Sequence, residues 1–292
     1  MSETVRVSVI IPVYNGAAYI RRAIDSALKQ DVELEVLVID DGSTDDIDTV
    51  MQAYENEDRV TYLKNPENLG VAGTRNRGVS LSQAPYIAFL DADDWWEEGK
   101  LTKQLAAMEK AGAVLSSTGR ELMSPDGTST GRVIGLPARI TMKEILKTNV
   151  ISTSAVVARR AVLAAHPMEH DDSHEDYITW IRIIREHGFA IGIDEPYLLY
   201  RMSESSKSGN KLKSARMHYR AYRYCGLGVG TSLLHFISYA FHGVKKYYGS
   251  CGICAQTTPE APDAGRGAAG GLPDRLCETC QIFPHRLRGR AS

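Results

Sequence analysis

Residues 5–16 read V-R-V-S-V-I-I-P-V-Y-N-G, and the organisation of the chain unfolds from them. Val5 to Val13 is a near-continuous β-branched apolar run, the pattern of a strand covered on both faces. Asn15-Gly16 stops it, and residues 18–30 then set Ile20, Ala23, Ile24, Ala27 and Leu28 at helical spacing. The alternation repeats downstream. Glu33 to Ile39 is a second strand ending in Asp40-Asp41-Gly42-Ser43, and Ser43 or Thr44 is expected to cap a helix reaching about Tyr54. Val60 to Leu63 is a short strand, residues 65–70 a loop and residues 71–82 a helix. Tyr86 to Leu90 is a fourth strand, ending in Asp91-Ala92-Asp93-Asp94. Strands alternating with helices specify an α/β fold, a parallel sheet with helices on both faces. Ligands of such sheets sit beyond the carboxyl ends of the strands. Tyr14-Asn15, Asp40-Asp41 and Asp91 to Asp94 all fall at those ends.

The chain has 292 residues, enough for one large or two smaller domains with a full core. Net charge is only −2, yet residues 1–111 carry 20 acidic and 11 basic side chains, whereas the remainder carries 16 and 23. An acidic first half argues against a nucleic-acid binder, whose reading surface would be basic. It suits a site that needs carboxylates. Met1 to Arg6 leads straight into the strand pattern, so no secretory leader is read, and no run is long and apolar enough to cross a membrane. Four of the five cysteines lie in the last 42 residues. The expectation is a reduced, cytoplasmic protein.

Past Ala111 the alternation loosens. Val114 to Met123 and Gly131 to Ile134 read as a hairpin about Pro125-Asp126-Gly127. Residues 141–148 read as a helix, Ser152 to Ala158 as a strand and Glu175 to His187 as a helix. Phe189 to Ile193 and Tyr197 to Tyr200 are two short strands, and residues 211–224 and 228–248 two helices.

Asp91-Ala92-Asp93 offers two carboxylates with a small residue between them. Strand alternation would aim both the same way. Such a site repels a diphosphate unless a divalent cation inverts the local charge, and Mg²⁺ or Mn²⁺ on carboxylate oxygens is the usual solution. An Asx-type turn with solvated aspartates is the alternative. Tyr14 is placed to stack on a base or to be an ordinary strand-end aromatic. Asp41 is placed to accept from a base or ribose, or to cap a helix. Arg75 either closes over the same ligand or lies on a helix surface.

The ordered set Pro12-Val13-Tyr14-Asn15, Asp40-Asp41-Gly42-Ser43, Asn68-Leu69-Gly70 with Arg75-Asn76, and Phe89-Leu90-Asp91-Ala92-Asp93-Asp94 resembles the family 2 inverting glycosyltransferases of GT-A fold. His174-Glu175-Asp176-Tyr177 with Trp180 and Arg182, then Tyr200-Arg201 and Ser203, is similar to that family's acceptor half. The resemblance spans about residues 5–249 and extends to bacterial enzymes of surface polysaccharide and teichuronic acid synthesis. It implies a metal-dependent transfer from a UDP-sugar to a saccharide acceptor, lipid-linked in such pathways. Tyr14 and Asp41 would hold uracil and ribose, with Pro12, Asn15, Gly70 and Arg75 around them. Asp91, Ala92 and Asp93 would face ribose, sugar and metal, the metal ligands being Asp93 and Asp91. Asp176 would be the catalytic base, with Glu175 beside it. Inversion needs such a group to take the acceptor's proton, and a carboxylate at a helix start suits the role; merely favouring the helix terminus is the alternative. A sugar nucleotidyltransferase would need a glycine-rich, Lys-containing loop after the first strand, where only Gly16 stands. A non-catalytic nucleotide or glycan-binding scaffold is the remaining reading.

The domain reading is a catalytic domain over 1–204, with a nucleotide half 1–111 and an acceptor half 112–204. A basic helical extension covers 205–249 and a low-complexity, disordered tail 250–292. Residues 205–249 hold eight Lys or Arg and no acid, and Arg216, Arg220 and Arg223 share a helical face. An anionic membrane surface is one partner expected for this segment, placing the protein peripherally on the inner face of the plasma membrane; a homodimer through the C-terminal helices is the other. For Cys251, Cys254, Cys277 and Cys280 the expected state is a disordered extension, with structural Zn²⁺ as the alternative.

Overall fold

A computed structural model describes residues 5–170, 172–202 and 211–237. The chain runs β1 (Val7–Val13), α1 (Ile20–Leu28), β2 (Leu34–Asp40), α2 (Ile47–Met51), a 3₁₀ turn (Gln52–Tyr54), β3 (Val60–Lys64), α3 (Gly70–Leu81) and β4 (Tyr86–Phe89). It continues with β5 (Trp95–Trp96), α4 (Lys100–Ala111), β6 (Leu115–Met123), β7 (Ser129–Ile134), β8 (Arg139–Ile140) and α5 (Met142–Lys147). After a 3₁₀ turn (Thr153–Ala155) come β9 (Val157–Arg159), α6 (Arg160–Ala165), α7 (Glu175–His187), β10 (Ala190–Arg201) and α8 (Lys211–Tyr224), with a further helical segment at 229–237.

One ten-stranded sheet organises these elements in the order β3-β2-β1-β4-β9-β6-β10-β5, with β7 on β6 and β8 on β10. β1 is parallel to both β2 and β4, and β2 to β3, so the carboxyl ends of four strands share one rim. β9 runs antiparallel between β4 and β6. The sheet is therefore parallel in its first half and mixed in its second. Every residue of β1 is buried because both faces are covered. Ile10 points into one core with Phe89, Val79, Trp180 and Tyr222; Val9 and Ile11 point into the other with Ile24, Leu101 and Leu105. The split follows the two-residue period of the strand. At Gly78 a Cβ would lie 2.6 Å from Ile10 Cγ2, so α3 rides directly on β1.

Several expectations need correction. Neither Ser43 nor Thr44 caps α2: Asp46 precedes that helix, while Ser43 Oγ accepts from Asn15 N–H (2.9 Å) and Asn15 Oδ1 accepts from Thr44 N–H (2.8 Å). Residues 152–158 are not one strand, because Ser152 to Val156 turn through the 3₁₀ segment before β9 begins. The two short strands of residues 189–200 are a single bent one: β10 keeps pairing with β6 across a register shift between Ile193 and Leu198, around Pro196. β5, α4 and α6 were not anticipated. The helix expected over 228–248 is seen as 229–237; its remainder, Lys207, and the whole of 250–292 with its cysteines lie outside the described residues.

Candidate active site

Tyr14 leaves β1 at the rim with 56% of its surface exposed, a free aromatic face. The next residue, Asn15, takes a left-handed φ of 53°, which Asn tolerates and which folds the loop back onto residues 43–44. Pro12, two residues earlier, is buried within β1. Asp41 follows β2 and is 4% exposed. Its Oδ1 accepts from Asn65 Nδ2–H and from Leu69 N–H, each at 2.7 Å, and its carbonyl accepts from Asn68 Nδ2–H at 2.9 Å. Asp41 thus caps no helix. It binds the end of β3 and the loop entering α3 to the end of β2, and its Oδ2 takes none of these bonds. Gly70, with φ of 73°, opens α3 in a conformation costly to any side chain.

The segment 91–94 is a turn closed by Asp94 N–H to Asp91 C=O at 3.1 Å. Strand alternation therefore does not set the directions of its carboxylates, as expected from sequence; the turn does. Asp91 accepts from Arg75 Nη2–H at 2.6 Å. Burial, and next the charge of Asp91, push the Asp93 carboxyl up to about 6. Asp94 is wholly buried and raised well above the carboxylate range by burial and then by Asp93 and Asp91. It accepts from Arg201 N–H at 2.9 Å, and its Oδ2 has no hydrogen-bond partner among the described residues. Three acids crowd one turn, and no described side chain donates to Asp93. A hard oxygen-donor set under mutual repulsion is what Mg²⁺ or Mn²⁺ requires, so the residues suit such an ion.

Arg75 is not on a surface. It is 5% exposed and bridges two elements, with Nη2 on Asp91 and Nη1 3.4 Å from Glu175 Oε1. Burial opposes its charge, but Asp91 and Glu175 outweigh that and raise its proton affinity. Asn76 adds a second clasp, donating to Met168 C=O at 2.8 Å and accepting from Met168 N–H at 2.9 Å. Together they hold the loop before α7 against α3. The first turn of α7 carries Glu175, buried, and Asp176, half-buried. Asp176 Oδ2 accepts from Thr153 Oγ1–H at 2.7 Å, which fixes that carboxylate's orientation.

Ser154 on the 3₁₀ turn and Arg201 of the Tyr200-Arg201 pair complete the rim. Ser154 Oγ accepts from Asp91 N–H at 3.1 Å, and its carbonyl accepts from Trp96 Nε1–H at 2.7 Å. Arg201 Nε–H donates to Asp93 C=O at 3.0 Å and Nη1–H to Pro125 C=O at 2.7 Å. Its guanidinium lies 4.7 Å from the Tyr19 ring and 5.1 Å from that of Trp95. A Tyr-Arg pair closing the last strand was visible in the sequence; a Thr and a Ser on a 3₁₀ turn gave no signal. The rim therefore gathers an exposed aromatic ring, an anchored aspartate, an acidic turn and a hydrogen-bonded helix-start carboxylate. Such a set can hold a base and sugar, a cation with a diphosphate, and a proton acceptor.

Residues 8–164 match the sequence profile described as glycosyl transferase family 2. A Bacillus subtilis protein named for teichuronic acid biosynthesis, the glycosyltransferase TuaG, is 35% identical over 245 residues, covering 82% of this chain and 96% of that one. The Escherichia coli UDP-Glc:α-D-GlcNAc-diphosphoundecaprenol β-1,3-glucosyltransferase WfgD is 31% identical over 245 residues, covering 82% and 94%. Staphylococcus aureus TarS 1–349, solved with UDP-GlcNAc, superposes with a TM-score of 0.64 at 18% identity over 82% of this chain and 73% of that one. A Pyrobaculum calidifontis mannosyltransferase solved with GDP-Man and Mn²⁺ gives 0.57 at 18% identity, covering 85% and 77%.

Proposed function

This chain belongs to glycosyltransferase family 2, an enzyme family of GT-A fold, and from that premise we propose that it moves a sugar from a UDP-sugar to the hydroxyl of a lipid-diphosphate-linked saccharide. The product would be an intermediate of a cell-surface polysaccharide. Support for the donor comes from the TarS complex with UDP-GlcNAc and from the UDP-glucose named for WfgD. Support for the acceptor comes from the diphosphoundecaprenol named for the same relative.

The observation that carries the reading is the Arg75 bridge, which sets the acidic turn and the first turn of α7 around one guanidinium. In this reading Tyr14 stacks on uracil while Asp41 Oδ2 accepts from the base or ribose. Asp93 and Asp91 would ligate Mg²⁺ or Mn²⁺, which when bound neutralises charge on the diphosphate as it leaves. Asp176 takes the proton of the acceptor hydroxyl as its oxygen attacks the anomeric carbon. The bond from that carbon to the UDP oxygen breaks on the opposite face, and the electron pair departs with UDP. The Thr153 hydroxyl holds the carboxylate in register for the proton.

The anionic bilayer that carries such an acceptor also accounts for the last described helix. Val229, Leu233, Leu234 and Ile237 are 62, 52, 71 and 58% exposed, whereas Ser232 is buried and Phe236 packs on the core. A helix apolar on its outward side, in a segment with no acid from 205 to 249, suits a membrane interface. Among the described residues no helix is long and apolar enough to cross a membrane.

Asp176→Asn tests the assignment. The variant should bind UDP with Mn²⁺ as the parent does and lose transfer by about 10²–10⁴-fold. Retained turnover would move the base elsewhere.

A further inference from the structure

Away from the nucleotide rim, titratable side chains gather where α6 and α7 end. His166 follows the last turn of α6, and Glu186 and His187 close α7. Their ligand atoms all lie within 4.8 Å of one another. His166 Nε2 is 3.0 Å from Glu186 Oε2, and His187 Nε2 is 3.7 Å from Glu186 Oε1. Two imidazole nitrogens thus face the two oxygens of one carboxylate.

His166 Nε2 is shielded from water and lies at ion-pair distance from Glu186. Tetrahedral zinc with ligand bonds of roughly 2.0–2.1 Å separates neighbouring donor atoms by about 3.3 Å. The two distances, each to a different oxygen of the one carboxylate, lie on either side of that value, and a rotation of the exposed Glu186 side chain brings a single oxygen toward both nitrogens. Both helices also end at this place, and the partial negative charge of their last carbonyls favours a cation. Two imidazoles and one carboxylate form the mixed nitrogen and oxygen set that zinc accepts, unlike the all-oxygen set of the rim.

We propose that His166, Glu186 and His187 form a transition-metal site that takes Zn²⁺, with a fourth position open to water. The ion would lock the end of α6 to the end of α7. Glu175 and Asp176 stand at the opposite end of the same α7, about 18 Å away at 1.5 Å rise per residue. The site is therefore a brace on the helix that presents them, remote from any reacting atom.

The test is a titration of the chelator-stripped full chain with Zn²⁺ against a chromophoric zinc indicator, beside Glu186→Gln and His187→Ala. Both side chains are partly solvent-exposed, so neither substitution threatens the fold. Zinc held by the tail cysteines or by the rim is common to all three proteins and cancels in the comparison. Each variant should lose one equivalent, or bind it at least about tenfold more weakly, and the zinc-induced rise in Tm should shrink with it. Equal stoichiometry, affinity and Tm response in parent and both variants would overturn the proposal.

Discussion

Arg75 joins residues 16 positions downstream and 100 positions downstream through one guanidinium, and the site depends on it. Replacing it by Met leaves Glu175 buried and Asp91 half-buried beside an apolar chain. Removing one partner of a buried ion pair costs about 3–5 kcal/mol, and the partial exposure of Asp91 argues for the lower end. Urea unfolding of Arg75→Met should therefore lose about 3 kcal/mol; a loss below about 1 kcal/mol would mean the bridge is not held as described. The sequence offered Arg75 only as a ligand contact or a surface residue, because nothing in a helix pattern announces a charge turned inward toward distant acids. Asp41 was legible as a strand-end carboxylate, but its bonds to Asn65 and Leu69 were not, since they need β3 and the following loop already in place. Thr153 and Ser154 stayed silent for the same reason. Hydroxyls on a turn are common, and only the meeting of that turn with β4 and α7 makes these two part of the rim.

Among the elements, α7 and α8 stand where periodicity put them. α7 carries an apolar stripe with acids in its first turn and Arg185 and His187 in its last, agreeing with the helix dipole. α8 then grips the loop that leads into α7. Ser173 Oγ–H donates to Met217 C=O at 2.7 Å, Asp172 accepts from Arg220 and Tyr224, and the His170 and Tyr224 rings stack at 3.8 Å. Between the helices His218 lies stacked on Tyr177, edge-on to Tyr222 and 5.6 Å from His174. Burial first, then the nearby His174, hold its pKa well below the ordinary value. Below about pH 6.5 the unfolded chain binds a proton that the folded His218 refuses. Its share of stability is therefore complete above that pH and falls as pH drops through it. The urea midpoint of the parent should decline between pH 7 and pH 5.5 more steeply than that of His218→Phe; parallel profiles would remove His218 as the cause. Trp95–Trp96, α6 and the bend of β10 escaped the sequence reading on physical grounds. Two residues show no period, six barely exceed one helical turn, and a proline within a strand reads as a break although pairing resumes beyond it.

For the molecule as a whole, the parallel half of the sheet was readable because β1, β2 and β4 are buried apolar runs with helical segments between them. Its order, β3-β2-β1-β4, then puts Tyr14, Asp41 and Asp91 on one rim by connectivity alone. The second half was not readable to that depth. β9 pairs antiparallel between β4 and β6, and the sheet is extended by β10 returning parallel to β6, pairings that local pattern does not encode. That half carries Thr153, Asp176 and Arg201 to the acidic turn. A uridine diphosphate bridged by a divalent cation is the ligand we propose for this rim. Crystals grown with UDP and Mn²⁺, measured at the manganese absorption edge, address it directly. One anomalous peak is expected within bonding distance of the Asp93 carboxylate, with diphosphate density beside it and the uracil between Tyr14 and Asp41. Manganese bound elsewhere, or nucleotide density away from that rim at saturating concentration, would contradict it.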